Sequence, residues 1–238
     1  MFAFAKRPAL HPRPASDKGK FMLLPFSLLT LAGYFCGATP FGYLAGLLKG
    51  IDIRQHGSGN IGATNVIRTL GKGIGIPVFM LDVIKGWFPA WLAQHWMSDQ
   101  GASLAWITSA GIAAGVAAVL GHNFTFWLKG KGGKGIATSA GALLGTAPVA
   151  AGIGLLTFAI CLKICRYVSL SSLIAGAVIP IAMAVMMARS GQWNFILLGF
   201  GVALCVLAIV RHKANIQRLI AGTEPKVGQK KPQPAAQA

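Results

Sequence analysis

The feature that most constrains this chain is a series of six apolar stretches, each about as long as a membrane crossing. A helix needs roughly 20 apolar residues to cross a hydrocarbon core about 30 Å thick. The stretches are Phe21–Leu48, Ile74–Trp96, Ser103–Leu120, Ile136–Ile164, Leu170–Ala188 and Asn194–Ile209. Charged residues make up 11% of the 238 positions, against roughly 25% in soluble domains. The sequence therefore predicts an all-α, polytopic integral membrane helical bundle rather than the buried core of a soluble protein.

Most of the basic residues lie in four polar segments between or after these stretches. The chain has 22 Lys and Arg against 5 Asp and Glu, which gives a formal net charge of +17. Lys and Arg close to membrane spans are retained on the cytoplasmic side. This rule places four segments in the cytoplasm: Lys49–Gly73, Lys129–Lys134, Lys163–Ser172 and Arg211–Lys231. We therefore expect a site built from these segments to face the cytoplasm.

The apolar stretch between the second and third basic segments must leave the cytoplasmic side and return to it. About 30 residues, 136–166, are too few for two ordinary spans but suffice for two short or tilted helices that turn near Gly145–Pro148. The prediction is then seven transmembrane helices, including this short hairpin, with the N-terminus outside. A single long span is the alternative, and it would place Lys163 and Arg166 outside.

Both ends of the chain differ in composition from its apolar middle. Residues 1–20 contain five basic residues and several prolines, and the apolar run that follows is long enough to remain as a span. Residues 225–238 are rich in Pro, Gln, Lys and Ala, a composition typical of disorder. We predict a disordered basic tail over 1–20, a membrane-embedded domain over 21–224 and a disordered tail over 225–238. The basic tail fits poorly with an outside N-terminus, so its side stays open.

The acidic and sulfur-containing residues argue against a metal site. The carboxylates are few: Asp17, Asp52, Asp82, Asp99 and Glu224. Two of the four cysteines are spaced to share a helix face, but no His or third Cys accompanies them. We expect buried cysteines, no metal and no cofactor, and a field around the basic loops that attracts anions such as phosphates.

The first polar segment combines glycines with hydrogen-bonding side chains. It reads Ser58-Gly59-Asn60-Ile61-Gly62-Ala63-Thr64-Asn65-Val66-Ile67-Arg68. If a helix begins near Ala63, its N-terminus would face an anion, and Arg68 could bind that anion as a bidentate donor. A flexible interfacial loop is the alternative. We predict substrate-binding roles for six residues of this segment: Ser58, Gly59, Asn60, Thr64, Asn65 and Arg68.

The second polar segment reads Gly130-Lys131-Gly132-Gly133-Lys134-Gly135 and follows Gly121-His122-Asn123-Phe124. Its spacing excludes the Walker A phosphate loop, because Leu128 and Gly135 stand where that motif needs Gly and a hydroxyl residue. A glycine nest that opens into a helix with one Lys is nevertheless an anion cradle. We predict that Gly132, Gly133, Lys134 and Gly135 bind substrate. A histidine in the position of His122 is more often structural than catalytic.

Two later segments add hydroxyl, imidazole and amide groups. Ser171 and Ser172 lie at the mouth of a span, where serines often only bond the helix backbone. His212 and Asn215 follow the last span and share a helix face. Membrane anchoring by a basic amphipathic end is the alternative for this segment. Within the second span, Asp82 and Lys85 could equally neutralise each other for stability or take part in function.

Taken in order, these segments resemble the integral-membrane acyl-phosphate:glycerol-3-phosphate acyltransferases of bacteria, the PlsY family. The resemblance covers roughly Phe21 to Glu224 and includes Asp82-Val83-Ile84-Lys85-Gly86. The family usually has a proline where Thr125 stands and an aromatic residue where Gly130 stands, so the departures concern loop shape. The resemblance implies transfer of a fatty acyl group from acyl phosphate to the 1-hydroxyl of glycerol 3-phosphate. The products would be lysophosphatidic acid, for phospholipid biosynthesis, and phosphate.

The resemblance also implies residue roles. It assigns phosphate and substrate contacts to His212, Asn215, Lys134 and Arg68, and we predict that these four residues are catalytic. Substrate contacts fall on these residues and on Ser58, Thr64, Asn65, Ser171 and Ser172. The general base is either His212 or the phosphate of the donor. We expect a monomer in the bacterial cytoplasmic (inner) membrane that binds acyl phosphate and glycerol 3-phosphate but no nucleic acid.

Two other functional classes are less consistent with the sequence. No histidine is followed five positions later by Asp, which disfavours the acyltransferases that carry this motif. An anion transporter would explain the spans and the basic loops. Transporters, however, usually contain two related halves with interrupted helices at matching positions, and no such repeat is visible in the sequence.

Overall fold

All regular structure in residues 15–229, the part of the chain that the computed structural model describes, is helical. The helices are α1 (Ala15–Ala38), α2 (Phe41–Leu47), α3 (Ala63–Leu70), α4 (Lys72–Asp99), α5 (Leu104–Asn123), α6 (Ile136–Thr146), α7 (Pro148–Cys165), α8 (Val168–Ser190), α9 (Phe195–Arg211) and α10 (Lys213–Ile220). Two short 3₁₀ turns, Ile53–Gln55 and Phe126–Leu128, lie in the longer connections. The prediction of an all-α chain is confirmed.

The long helices have the length and surface of membrane spans. In the described part of the chain, five helices are long and apolar enough to cross a membrane. The consecutive helices α9 and α10, bent by 61°, give a sixth if they count as one span. Large apolar side chains point outward from them, such as Leu24 (67% exposed), Leu156 (63%) and Phe195 (72%). In water such a surface would be unfavourable, whereas lipid solvates it. The multi-span membrane prediction is confirmed.

The segment 136–166 divides into two helices, as predicted. α6 ends at Thr146 and α7 begins at Pro148, whose fixed φ suits the first position of a helix. The expected turn near Gly145–Pro148 is therefore confirmed, and the single long span is not formed. With 11 residues, α6 is about 16 Å long, roughly half of a hydrocarbon core. The count of seven transmembrane helices therefore stays a prediction.

Small residues bring four of the helices into close contact in two pairs, α1 with α5 and α4 with α6. A Cβ at Gly33 of α1 would lie 2.5 Å from the carbonyl oxygen of Ala114 in α5. A Cβ at Gly86 of α4 would collide with the carbonyl oxygen of Thr138 in α6, and one at Gly141 with that of Val83. Close packing of this type holds membrane helices together without a hydrophobic driving force. It fixes the start of α6 against α4.

Two predicted boundaries need correction. α1 begins at Ala15, so the last six residues of the segment 1–20, expected to be disordered, are helical. Residues 1–14 and 230–238 lie outside the described residues. Residues 225–229 were also expected to be disordered, but this segment is tied to the α7–α8 turn. The N–H of Val227 donates to the carbonyl oxygen of Arg166 at 2.8 Å, and Arg166 Nη2 donates to the carbonyl of Val227 at 2.7 Å.

Candidate active site

Residues 130–135, the glycine loop, lie against the end of α5. The N–H of Gly132 donates to the carbonyl oxygen of Asn123 at 3.2 Å, and the N–H of Gly133 donates to that of His122 at 3.0 Å. A Cβ at Gly132 would collide with the His122 carbonyl oxygen. Gly135 has a left-handed φ of +78° immediately before α6. Glycine is therefore needed both for close approach and for the turn into the helix.

The glycine loop leaves a row of backbone donors unused. Among residues 15–229, the N–H groups of residues 134–138 have no hydrogen-bond partner, and the first bonded one is that of Ser139. The first N–H groups of a helix point along its axis and carry its partial positive charge. Together with the side chain of Lys134 they have the arrangement of donors that commonly binds anions at a helix N-terminus, and the phosphate-binding role predicted for this loop stays a prediction.

Lys134 begins a chain of hydrogen bonds that joins three helices. Its Nζ donates to Asn215 Oδ1 on α10, and Asn215 Nδ2 donates to Glu224 Oε1 at 2.6 Å. Ser169 Oγ on α8 donates to the same oxygen at 2.6 Å, and Arg218 Nε donates to Glu224 Oε2 at 2.7 Å. Burial alone would raise the pKa of Glu224, but these three donors lower it below its usual range. Glu224 is therefore an ionised anchor for the amide and the lysine.

The same chain of bonds shows how the hairpin runs. Lys134 precedes α6 and Ser169 follows α7, yet both connect to the Asn215–Glu224 pair. The segment 136–166 must therefore leave this end of the bundle and return to it. This confirms the path that the positive-inside rule predicted for the hairpin.

The electrostatic surroundings of Lys134 are strongly positive. Burial lowers the pKa of Lys134 to about 8, against the opposing effect of Glu224; the charges of Arg218, Arg68 and Arg211 lower it further. Arg68 of α3 is thus one of the charges that act on Lys134. A dianionic ligand would neutralise this excess of positive charge.

His212 lies at the bend between α9 and α10 and is 3% exposed. Its Nδ1 lies 2.8 Å from the carbonyl oxygen of Ala208, which can only accept a hydrogen bond, so Nδ1 carries the proton. Burial and the charge of Lys134 lower the pKa of His212 to about 4. The ring is therefore neutral at neutral pH, and its unprotonated Nε2 can accept a hydrogen bond or a proton.

Residues 51–62, the first loop, are organised by one buried amide. Asn65 is 2% exposed; its Oδ1 accepts from the N–H of Ser58 at 2.8 Å. Its Nδ2 donates to the carbonyl oxygens of Asn60, His56 and Ile53 at 2.9, 3.0 and 3.2 Å. The Asn65 amide is thus occupied by the loop backbone. We infer that it shapes the loop instead of contacting substrate itself.

Other predicted residues of this region remain accessible. The Asn60 Oδ1 atom accepts from the N–H of Gly62 at 2.7 Å, so Asn60 also stabilises the loop. Ser58, Thr64 and Arg68 are exposed, and within residues 15–229 their side chains have no hydrogen-bond partner. Thr64 and Arg68 are one turn apart on α3 and share a face. Their substrate-binding roles stay predictions, as does that of Gly59.

The two predicted serines lie in the first turn of α8. Ser171 Oγ donates to the carbonyl oxygen of Tyr167 and Ser172 Oγ to that of Val168, both at 2.8 Å. Both side chains are buried, and their protons are used by the helix backbone. What they can offer a ligand is therefore the lone pairs of their hydroxyl oxygens.

Four residues that shape the site were not predicted to belong to it: Ser169, Arg211, Arg218 and Glu224. Arg211 Nη2 donates to the carbonyl oxygens of Gly133 and Gly132 at 2.6 and 3.2 Å, so it fixes the glycine loop from α9. The one sequence signal that could have identified Arg211 is its position directly before His212, a predicted site residue. Nothing local in the sequence indicates that its guanidinium binds a loop 78 residues away.

A bundle of membrane helices with a glycine-rich, cationic centre at one end defines the class of polytopic helical membrane proteins. The family model for glycerol-3-phosphate acyltransferase matches residues 27–222. The glycerol-3-phosphate acyltransferase of Sinorhizobium fredii is 45% identical over 209 residues, which cover 87% of this chain and 95% of that protein. The chain belongs to the glycerol-3-phosphate acyltransferase family.

Solved structures agree with this assignment. The chain is similar to PlsY (YgiH), an integral membrane glycerol 3-phosphate acyltransferase, in its glycerol 3-phosphate form. That similarity has a TM-score of 0.74 and 35% identity and covers 85% of this chain and 96% of the other. The lysophosphatidic acid form gives a TM-score of 0.71 with 36% identity, over 85% of this chain and 95% of the other. The resemblance to the PlsY family is confirmed.

Proposed function

We propose that this chain transfers a fatty acyl group from acyl phosphate to the 1-hydroxyl of glycerol 3-phosphate. The hydroxyl oxygen forms an ester bond with the acyl carbon, the bond from that carbon to the phosphate oxygen breaks, and lysophosphatidic acid and phosphate leave. Family membership supports the acceptor, and the relatives of known structure have forms with glycerol 3-phosphate and with lysophosphatidic acid. The observation that carries the choice of donor is the row of unused N–H donors beside Lys134.

The glycine loop is the part of the site that suits the donor. We assign the phosphate of acyl phosphate to the N–H groups of residues 134–138 and to Lys134 Nζ. This phosphate is the leaving group, and its negative charge increases as the bond to the acyl carbon breaks. Donors fixed in advance around that charge stabilise the transition state more than the ground state. An acyl phosphate is already activated, so positioning and charge stabilisation suffice.

The side-chain donors around the glycine loop suit the acceptor. Arg68 is exposed on α3, where its guanidinium can bind the phosphate of glycerol 3-phosphate through two parallel bonds. Thr64 shares its face, and Ser58 lies in the loop before it. We assign the glycerol hydroxyls to His212 Nε2, Asn215 and the oxygens of Ser171 and Ser172. This arrangement brings the acceptor hydroxyl toward the acyl carbon.

The base that removes the hydroxyl proton is either His212 or the donor phosphate. A general base is most effective when its pKa is near the working pH. Because the pKa of His212 is lowered to about 4, its ring is a weak base. We therefore favour the donor phosphate as the base, with His212 orienting the hydroxyl through Nε2.

The same proposal includes the location and orientation of the protein in the membrane. The fatty donor reaches the site from the bilayer, and the water-soluble acceptor reaches it from the cytoplasm. We place the protein in the bacterial cytoplasmic (inner) membrane as a monomer, with the glycine loop toward the cytoplasm. The basic segments at this end of the bundle support that orientation.

The test is an assay of the purified protein in detergent with labelled glycerol 3-phosphate and one donor at a time. We expect labelled lysophosphatidic acid and an equal amount of phosphate with palmitoyl phosphate, and no product with palmitoyl thioesters. Product from thioesters alone would overturn the donor assignment. Uptake of the label into vesicles without any lysophosphatidic acid would favour a transporter and overturn the reaction.

A further inference from the structure

A chain of buried polar side chains lies beneath the glycine loop, within the membrane part of the bundle. Asp82 and Lys85 of α4 are each 2% exposed, and Lys85 Nζ lies 2.7 Å from Asp82 Oδ1. Lys85 Nζ also donates to the carbonyl oxygen of Thr39 at 2.8 Å, at the break between α1 and α2. Charges within a membrane are costly, so a buried pair at this depth indicates a function.

His122, in the last turn of α5, lies between this ion pair and the glycine loop. It is 4% exposed, and its Nδ1 lies 3.7 Å from Asp82 Oδ1. The opposite edge of the ring meets Gly133: a Cβ built there would collide with His122 Nε2 and lie 2.8 Å from Cε1. The imidazole therefore fills the space between Asp82 and the loop.

The reason for glycine at position 133 differs from the reason at Gly130 and Gly135. Gly130 and Gly135 have left-handed φ angles of +78°, which side chains rarely adopt, whereas Gly133 does not have a positive φ. The three nearest atoms to a Cβ at Gly133 all belong to the His122 ring. A positive φ is therefore not the reason for glycine at this position, and the atoms nearest to an added Cβ are those of the imidazole.

We propose that His122 is a positioning residue for the donor phosphate. Its ring lies between Asp82 and Gly133 and fixes the position of the Gly133 backbone, which in turn orients Lys134 and the unused N–H groups. The proposal rests on the function proposed above. Lys134 follows Gly133 directly, so a shift of the loop backbone moves the lysine and the start of α6 together. Arg211 donates to the carbonyl oxygen of Gly133, and the His122 ring lies against the Cα of the same residue.

The steric part of the proposal is tested with a pair of glycine variants. Gly133→Ala should lower kcat/KM for palmitoyl phosphate about 100-fold, the loss typical of a misplaced donor. Adding His122→Ala removes the colliding ring, so the double variant should recover at least about tenfold over Gly133→Ala. Gly132→Ala is the matched control, because its Cβ would collide with the His122 carbonyl oxygen. His122→Ala should not rescue it. Equal rescue of both, or of neither, would overturn the contact.

The positioning part is tested by kinetics that separate the two substrates. His122→Gln should raise KM for palmitoyl phosphate about tenfold and leave KM for glycerol 3-phosphate within about twofold, since only the donor is assigned to the loop. Asp82→Leu with Lys85→Met removes both charges together and should act in the same direction. When the Asp82→Leu and Lys85→Met substitutions are combined with His122→Gln, KM for palmitoyl phosphate should rise little beyond its value in His122→Gln alone. A fall in kcat alone, equal rises in both KM values, or additive losses would overturn the proposal.

Two further measurements separate this proposal from its alternatives. Gln94→Leu removes another buried bond of α4, the one from Nε2 to the carbonyl oxygen of Gly145 at 2.6 Å, and should leave both KM values unchanged. Binding of inorganic phosphate, a product, should weaken about tenfold in His122→Gln even where no turnover is measured. A wild-type protein that forms no lysophosphatidic acid would refute the proposed function alone. Unchanged phosphate binding in His122→Gln would refute the positioning role alone.

Discussion

The first loop and the glycine loop have similar compositions but are stabilised in opposite ways. The first loop uses a side chain: the buried Asn65 amide makes four hydrogen bonds to its backbone. The glycine loop is instead held by its own backbone against α5 and by Arg211, and it leaves its last N–H groups unused. A loop rich in Gly and Asn can therefore offer either side chains or backbone to a ligand.

The largest effect should come from removing the cation of the glycine loop. Lys134→Met takes away the Nζ beside the donor phosphate, and losing one such donor typically costs about 100- to 1,000-fold in kcat. We expect a fall in kcat/KM of that size with palmitoyl phosphate. Lys131→Met, in the same loop but exposed, is the matched control and should stay within about twofold. Similar losses in both variants would show that only the net charge of the loop matters.

The second effect concerns the buried amide of the first loop. Asn65→Ala removes an amide whose two N–H protons are shared among three carbonyl oxygens and whose oxygen accepts from Ser58. A typical hydrogen bond contributes about 1 kcal/mol, and the substitution also leaves the carbonyl oxygens unpaired. The loop should loosen, which hydrogen exchange over residues 51–62 would detect, and KM for glycerol 3-phosphate should rise about tenfold. An Asn65→Ala variant with normal exchange and a kcat defect alone would show that Asn65 contacts the reacting groups directly.

A smaller effect is expected from changing Arg211, which binds the carbonyl oxygens of the glycine loop. Arg211→Lys keeps the charge but loses the guanidinium Nη2 that donates to the carbonyl oxygens of Gly132 and Gly133. We expect KM for palmitoyl phosphate to rise about three- to tenfold. Arg218→Lys, which changes the Glu224 end of the site instead, should raise that KM less. The opposite order would place the donor phosphate near Glu224.

The smallest effect is a pH dependence in the alkaline range. The pKa of Lys134 is lowered to about 8, so in the free protein this lysine loses its proton as the pH rises through that value. Donor binding needs the protonated form, and kcat/KM should therefore fall above pH 8. In Lys134→Arg the fall should disappear, because guanidinium stays charged. A wild-type profile that is flat to pH 9.5 would contradict the assignment of Lys134 to the donor.

Much of the fold was predictable because membrane insertion is a local property. The lengths of the apolar stretches gave the spans, and Gly145 and Pro148 marked the turn between α6 and α7. The start of α1 was missed because a helix can continue past the hydrocarbon core, where water satisfies polar side chains and hydropathy no longer marks it. The segment after Glu224 was missed because its contact with Arg166 is long-range.

The candidate site was predictable in its parts but not in its pairings. Lys134, Asn215 and His212 were identified from local motifs, and the structure brings Lys134 and Asn215 into direct contact. That the amide of Asn65 is occupied by its own loop, or that Arg211 binds the glycine loop, depends on how distant segments pack. Such contacts leave no periodic signal in one sequence.

The most direct measurement is an experimental structure of this protein with a palmitoyl phosphonate, a stable analogue of the proposed donor. We expect the phosphonate oxygens to lie about 2.7–3.2 Å from the N–H groups of residues 134–138 and from Lys134 Nζ. Arg68 should remain available for glycerol 3-phosphate. A phosphonate bound instead at the first loop, with the N–H groups at the start of α6 still unoccupied, would contradict the account.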